Sequence, residues 1–150
     1  MAFLSSFDIT SSALTAQRLR MDVIAENLAN INVTRTANGE PYRRRYVLFQ
    51  AREPRFADHF NNALAQQEGI TRAPGRGVRV TGIREDQAPF RIEYDPTHPD
   101  ADADGYVRYP NVDLAREMVD MMSATRSYEA NITALNAFKN MATQALGIGK

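Results

Sequence analysis

Hydrophobic residues return at alternating steps of three and four near both ends of the chain. At the C-terminal end the line runs Met118, Met121, Thr125, Tyr128, Ile132, Leu135, Lys139, Ala142 and Leu146, with no Gly or Pro inside it. That spacing is the seam of a helix lying along another helix, and it predicts a helix over Asn111 to Leu146. At about 1.5 Å per residue it spans about 50 Å, more than a compact domain of this size needs. Asn111 or Asp113 is placed to cap its first N–H groups, and Glu117 puts negative charge near the positive end of the dipole. Gly147 and Gly149 follow the last apolar residue, where left-handed backbone is easily adopted. A second line through Ala124 and Phe138 widens the apolar face. Thr125 and Lys139 in the seam, and the flexible Met118 and Met121, make it a poor zipper.

The same alternation marks a second helix over Phe7 to Asn30, through Phe7, Thr10, Leu14, Gln17, Met21, Ile24, Leu28 and Ile31. Ser5, Ser6 and Asp8 supply capping chemistry at its start, and Ile31-Asn32-Val33-Thr34 ends it. Neither helix carries enough aliphatic seam to stand alone, so the simplest arrangement pairs them. The expected fold is mainly α with a small β-rich insert. Segments 1–33 and 110–150 form an antiparallel coiled coil of terminal helices, and 34–109 forms a β-rich or extended middle. The polar seam positions Gln17, Thr125 and Lys139 further imply that the helices are loose in a free monomer and order on assembly.

All seven prolines and six of the eight glycines fall between Arg35 and Pro110, the mark of turns and short strands. Tyr46, Val47, Leu48 and Phe49 predict a strand within Tyr42 to Ala51. Val78 and Val80 alternate with Arg79 and Thr81 after an Ala73-Pro74-Gly75-Arg76-Gly77 hinge. Phe90, Ile92 and Tyr94 alternate with Arg91 and Glu93, again a period of two. Phe56, Phe60 and Leu64 predict a short helix between Arg55 and Gln67.

Charge changes the picture by subtraction. Lys and Arg number 18, as do Asp and Glu, for a formal net charge of zero, which argues against a dedicated nucleic-acid or anionic-membrane binder. Cysteine is absent, which excludes disulfides, thiolate metal sites and a Cys nucleophile. Met1 to Thr10 lacks the basic, apolar and small-residue regions of a cleaved signal peptide, and no apolar run approaches a membrane span of roughly 20 residues.

Candidate chemistry is sparse. Asp100-Ala101-Asp102-Ala103-Asp104-Gly105 matches the first half of a calcium loop, but the twelfth position is Asn111 instead of Glu, and Pro110 precedes it. The residues fit a solvated acidic turn better. The two histidines, His59 and His98, have no partner in sequence that makes a metal or acid–base site. Arg43-Arg44-Arg45 with Tyr46 and Phe49 has the look of a nucleic-acid patch, against which a strand with its basic residues facing solvent or an acidic neighbour is preferred. No nucleophile elbow, phosphate loop or dinucleotide fingerprint occurs. No catalytic residue, metal or cofactor is expected.

The two helical segments also carry a resemblance. Ser12 to Asn30, with its Asn27-x-x-Asn30 pair, resembles the N-terminal motif of bacterial flagellar axial proteins, the rod, hook and hook-junction subunits. Pro110 to Val119 and Arg126 to Asn131 are similar to the matching C-terminal motif. Thr34 to Thr36, Gly39 to Arg45, Gly77 to Ile83 and Tyr94 to Val107 resemble the proximal-rod subunits of that family, while Arg52 to Ala73 matches least. Asn32 to Thr36 stands where many axial proteins carry Asn-Thr-Pro-Gly-Tyr, which disfavours a hook or distal-rod subunit.

The resemblance implies a non-enzymatic structural subunit, assembling helically with copies of itself and other rod subunits around an export channel. It implies export by the flagellar type III apparatus without a cleaved signal, to a periplasmic position in the basal body. It also implies contacts with neighbouring basal-body components. Leu14, Met21, Ile24 and Leu28 are expected to form the assembly seam with Met118, Met121, Tyr128, Ile132 and Leu135. Asn27, Asn30, Arg126 and Asn131 are expected to set register through polar contacts between subunits. Another flagellar axial subunit, a cytoplasmic coiled-coil adaptor and a calcium module remain as alternatives, the first two sharing the helices.

Overall fold

Twenty-eight residues without Pro or Gly form helix α1, Ala2–Ala29. It ends where Asn30 and the β-branched Ile31 and Val33 turn the chain, the Val33 N–H donating to the Asn30 carbonyl at 3.1 Å. The computed structural model describes residues 2–53, 60 and 76–147. Within them follow β1 (Arg45–Ala51), β2 (Val78–Glu85), β3 (Arg91–Tyr94), β4 (Tyr106–Tyr109) and α2 (Leu114–Gly147). Among the described residues the architecture is two long helices with two small sheets between them.

The helix expected between Arg55 and Gln67 lies outside the described residues apart from Phe60, as do His59 and the Ala73-Pro74-Gly75 part of the expected hinge. Strand β4, which sequence reasoning did not isolate, is four residues long and too short to show a period of its own.

β1 pairs with β2, and β3 with β4. The Asp86 N–H donates to the Arg44 carbonyl and the Arg52 N–H to the Gly77 carbonyl. Those bonds flank opposite ends of β1 and β2, so the strands run antiparallel. In the second sheet Ile92 faces Arg108 and Tyr94 faces Tyr106 across an antiparallel register. Val107 is its buried residue, while Ile92, Tyr94 and Tyr106 stay exposed. Gly105, at φ +81°, closes the hairpin. A Cβ there would meet the Tyr94 ring at 2.9 Å, so both conformation and space call for glycine.

The chain divides into two compact units, each using part of both helices. One comprises Met1–Gln17, Phe49–Thr81 and Ser127–Lys150, the other Arg18–Leu48 and Gly82–Arg126. In the first, the Phe7 and Phe138 rings lie 6.2 Å apart at 53°. The Val78 N–H donates to Ser12 Oγ at 3.1 Å, and Ser12 in turn donates to the Ile9 carbonyl at 2.7 Å. Gly77 sits at φ +86°, so close that a Cβ would stand 2.2 Å from Ser12 Oγ. The start of β2 is thus pressed directly onto α1. In the second unit, Ile24, Val23, Val107, Val112 and Ala124 are buried together with a set of polar groups.

Candidate functional site: a buried polar junction

α2 begins at a cap. Asp113 Oδ1 accepts from the Arg116 N–H at 3.0 Å, and its carbonyl accepts from the Glu117 N–H at 2.9 Å. Of the two candidates, Asp113 holds the cap, which satisfies an otherwise unpaired N–H of the first turn. Asn111 does something else: its Oδ1 accepts from the Arg44 N–H at 2.8 Å, and its Nδ2 donates to the Asp86 and Ala88 carbonyls. It therefore ties the chain before β1 to the turn after β2.

One turn beyond the cap, Glu117 is fully buried. Its Oε1 accepts from Arg44 Nε at 2.6 Å and its Oε2 from Asn27 Nδ2 at 3.0 Å. Arg44 also reaches Asp120 at 3.2 Å and Asp86 at 3.7 Å, and Arg20 meets the other Asp120 oxygen at 3.1 Å. A carboxylate this deep is tolerable only with a charge partner and hydrogen bonds on both oxygens, and Glu117 has both.

Asn27 is equally buried and uses its whole bonding capacity. Nδ2 donates to Glu117 and to the Arg45 carbonyl, and Oδ1 accepts from Tyr42 Oη and the Arg45 N–H, all between 2.8 and 3.0 Å. One amide thus joins α1, the entry to β1 and the start of α2. Burial raises the Tyr42 hydroxyl to a pKa of about 12, helped by the nearby carboxylates of Glu26, Glu117 and Glu85, with Arg45 opposing them.

Each arginine of the basic triplet finds a partner within the chain. Arg43 lies over the Phe90 ring at 4.2 Å, Arg44 is held as above, and Arg45 pairs with Glu26 at 2.9 Å and Glu85 at 3.6 Å. Where solvent or an acidic neighbour was expected, Arg44 and Arg45 meet this chain's own carboxylates and Arg43 an aromatic ring. The acidic turn is likewise committed: Asp100 accepts from Thr34 Oγ1 at 2.7 Å, and Asp102 stands 3.9 Å from Arg108. The Thr97 hydroxyl, then its N–H, hold the Asp95 carboxyl below the usual range. Among the described residues no cluster of three or more metal-ligating side chains occurs, and no helix is long and apolar enough to cross a membrane.

Of the expected seam, Ile24 is buried, Leu14, Met21, Leu28, Met121, Tyr128 and Leu135 are half-buried, and Met118 and Ile132 are exposed. The deeply buried positions of α2 are Glu117 and Ala124. The inward line is therefore the one through Ala124 and Phe138, turned by one residue from the line through Met118. Thr125 Oγ1 lies 3.7 Å from Met21 Sδ. Of the expected register residues, Asn27 spends its bonds inside the chain. Asn30 Nδ2 donates to the Glu26 carbonyl and Asn131 Nδ2 to that of Ser127, each within its own helix. Arg126 is exposed.

Sequence reasoning missed Glu117, Arg44, Tyr42 and Asp120 as a site. The available signal was a Glu spaced seven residues from Ala124, on the inward line.

The polar junction of Asn27, Arg44 and Glu117 ties both terminal helices to the middle segment, an arrangement that holds elements in fixed positions. Comparison with known proteins agrees. Residues 7–35 match the family model described as flagella basal body rod protein, and residues 103–148 match flagellar basal body rod FlgEFG protein C-terminal. The chain is 52% identical to the flagellar basal-body rod protein FlgC of Bacillus subtilis, over 97% of both chains. It is 43% identical to that of Salmonella typhimurium over the whole of both. With that of Aquifex aeolicus it shares 38% identity over 94% of this chain and 92% of the relative. The chain belongs to the FlgC family of flagellar basal-body rod proteins.

Proposed function

We infer that the chain is a structural subunit of the proximal rod of the flagellar basal body. It assembles helically with other axial proteins into the torque-transmitting shaft around the export channel. The observation that carries this reading is similarity to FlgC proteins along the full length, joined to a helix that leaves Leu114, Met118, Val119 and Met122 in solvent. Such a patch marks a surface awaiting a partner.

In this reading segments 1–33 and 110–150 pair as an antiparallel coiled coil forming the inner layer, and 34–109 stands as a separate middle segment. Four contacts support the pairing. Asn27 meets Glu117, Arg20 meets Asp120, Met21 meets Thr125, and Phe7 meets Phe138. Later positions on α1 contact earlier ones on α2. The assembly seam comprises Leu14, Met21, Ile24 and Leu28 with Met118, Met121, Tyr128, Ile132 and Leu135. Arg126, Asn30 and Asn131 act at its polar edges. Export through the flagellar type III apparatus, to the periplasm and without cleavage, completes the proposal. Such a subunit contributes stiffness in place of catalysis, and side chains seated between neighbouring helices supply it.

Complementation tests the reading. A strain lacking its own copy of the gene is given Leu28→Asp or Leu135→Asp. Expression is expected to remain detectable, while rods and swimming are lost. Normal swimming by either variant removes the assignment.

A further inference from the structure

Of the chain's asparagines, Asn38 alone is followed by glycine. The pair sits in a short loop, Ala37-Asn38-Gly39, between Thr36 and Glu40. The Thr36 N–H donates to the Glu40 carbonyl at 2.9 Å, and the Gly39 N–H to the Thr36 carbonyl at 2.9 Å. The Thr36 hydroxyl donates to the same Glu40 carbonyl at 2.8 Å. Gly39, at φ +79°, supplies the left-handed residue that ends such a loop. Residues 37–40 are all exposed, and a Cβ on Gly39 would meet nothing within 4 Å.

The Asn38 side chain is unengaged. Asn27, Asn30, Asn111 and Asn131 each commit their amides through Nδ2. No hydrogen bond among the described residues holds the Asn38 carboxamide. Its Cγ is therefore free to turn towards the next backbone nitrogen, and Gly39 has no side chain to obstruct the approach. Asp104-Gly105 repeats the spacing, but a carboxylate is a poorer electrophile than an amide. Gly105 also stands close against the Tyr94 ring.

We propose that Asn38 is a site of self-modification, converting to aspartate and isoaspartate in the folded chain without an enzyme. Base removes the Gly39 amide proton, and the nitrogen attacks Asn38 Cγ. The N–Cγ bond forms, the Cγ–Nδ2 bond breaks, and Nδ2 leaves as ammonia with a proton from water. Water then opens the cyclic imide. Attack at Cγ gives aspartate, and attack at the former backbone carbonyl gives isoaspartate, in which the chain runs through Cγ. One water is consumed for each ammonia released. Either product adds a carboxylate beside Glu40. Isoaspartate also lengthens the backbone by a methylene, which so short a loop cannot absorb while keeping both backbone bonds to Thr36.

The attacking nitrogen is the one bonded to Thr36, so the turn has to open first. Its two backbone bonds lie at the surface, and each slows the reaction by about tenfold or less. The folded turn is thus expected to react within about a hundredfold of the rate of an open chain. Reaction by way of global unfolding would be held back by more than about a thousandfold.

The test uses the purified full-length chain in mildly alkaline buffer, with the same chain unfolded in guanidinium as reference. Peptide mapping by mass follows the replacement of NH2 by OH. An isoaspartyl methyltransferase with a labelled methyl donor reports the second product. Asn38 is expected to disappear in a first-order process that quickens in proportion to hydroxide and releases ammonia, within about a hundredfold of the reference rate. Asn38→Gln removes the product at this position, because the longer side chain closes a less favoured ring. Gly77→Ala, which weakens the other compact unit, leaves the rate unchanged.

Protection of the folded chain by more than about a hundredfold overturns the proposal. So does faster loss of Asn38 in Gly77→Ala, which traces the reaction to unfolded molecules. Label that accumulates first at Asp104 or at another asparagine overturns it as well.

Discussion

Glu117 shows how much a single buried charge can hold in place. Both its oxygens are occupied, by Arg44 at 2.6 Å and by Asn27 at 3.0 Å. Glu117→Ala leaves a guanidinium of 11% side-chain exposure facing only Asp120 and Asp86 at longer range. Loss of one partner from such a pair costs about 3–5 kcal/mol, and urea unfolding is expected to register a loss of that size. A change below about 1 kcal/mol, the range of a solvated pair, would show that water reaches the site and that the pair contributes little. Tyr42 gives a test in pH. Its hydroxyl titrates near 12 in the fold against 10.0 in the open chain. The folded pKa is the higher one, so the stabilisation is intact below pH 10 and drains away as pH climbs towards 12. Solvent screening of the surrounding carboxylates holds the loss to about 1–2 kcal/mol. Tyr42→Phe is expected to lose about 1 kcal/mol at neutral pH, for the bond to Asn27, and to flatten that part of the curve. An equally steep fall in the Phe variant assigns the titration elsewhere.

Among elements, β2 is held most tightly at its first residues. Gly77→Ala must place a Cβ 2.2 Å from Ser12 Oγ while keeping φ at +86°. Strain of this kind costs about 1–3 kcal/mol, and the bond from the Val78 N–H to Ser12 is expected to break with it. Thermal melting should fall by several degrees; an unchanged midpoint would mean the strand can step away from α1 freely. The elements differed in how plainly the sequence announced them. Two Pro-free runs with a three–four period named both helices, because periodicity is a local property. Which side of α2 turns inward was not local. Met118 looks apolar and Glu117 charged, yet Glu117 is the buried one, since Asn27 and Arg44, 90 and 73 positions away, stand there to satisfy it. Polar junctions between distant segments leave no periodic trace, so the sequence assigns no role to Tyr42 or Asp120 and turns Arg44 to solvent or an acidic neighbour. β4 was lost for a simpler reason, its four residues being too few for a pattern.

For the molecule as a whole, the balance of charge leaves apolar surface to direct association. The seam includes Gln17, whose buried Oε1 lacks a partner among the described residues, and α2 keeps apolar side chains in water. Both features lower the stability of the terminal helices before assembly. Hydrogen exchange on the free monomer is therefore expected to be fast over much of α1 and α2, and to slow in purified rods. Strong protection throughout both helices in the monomer would refute that coupling of order to assembly.

The junction at Asn27 has one more consequence, concerning time. Its bonds need Arg45 and Glu117, so the amide has no complete set of partners until more than three quarters of the chain has been synthesised. In a shorter nascent chain Asn27 and Arg44 have no Glu117 to bond. Closure waits for the first turn of α2, whose Glu117 supplies the acceptor that Asn27 and Arg44 share.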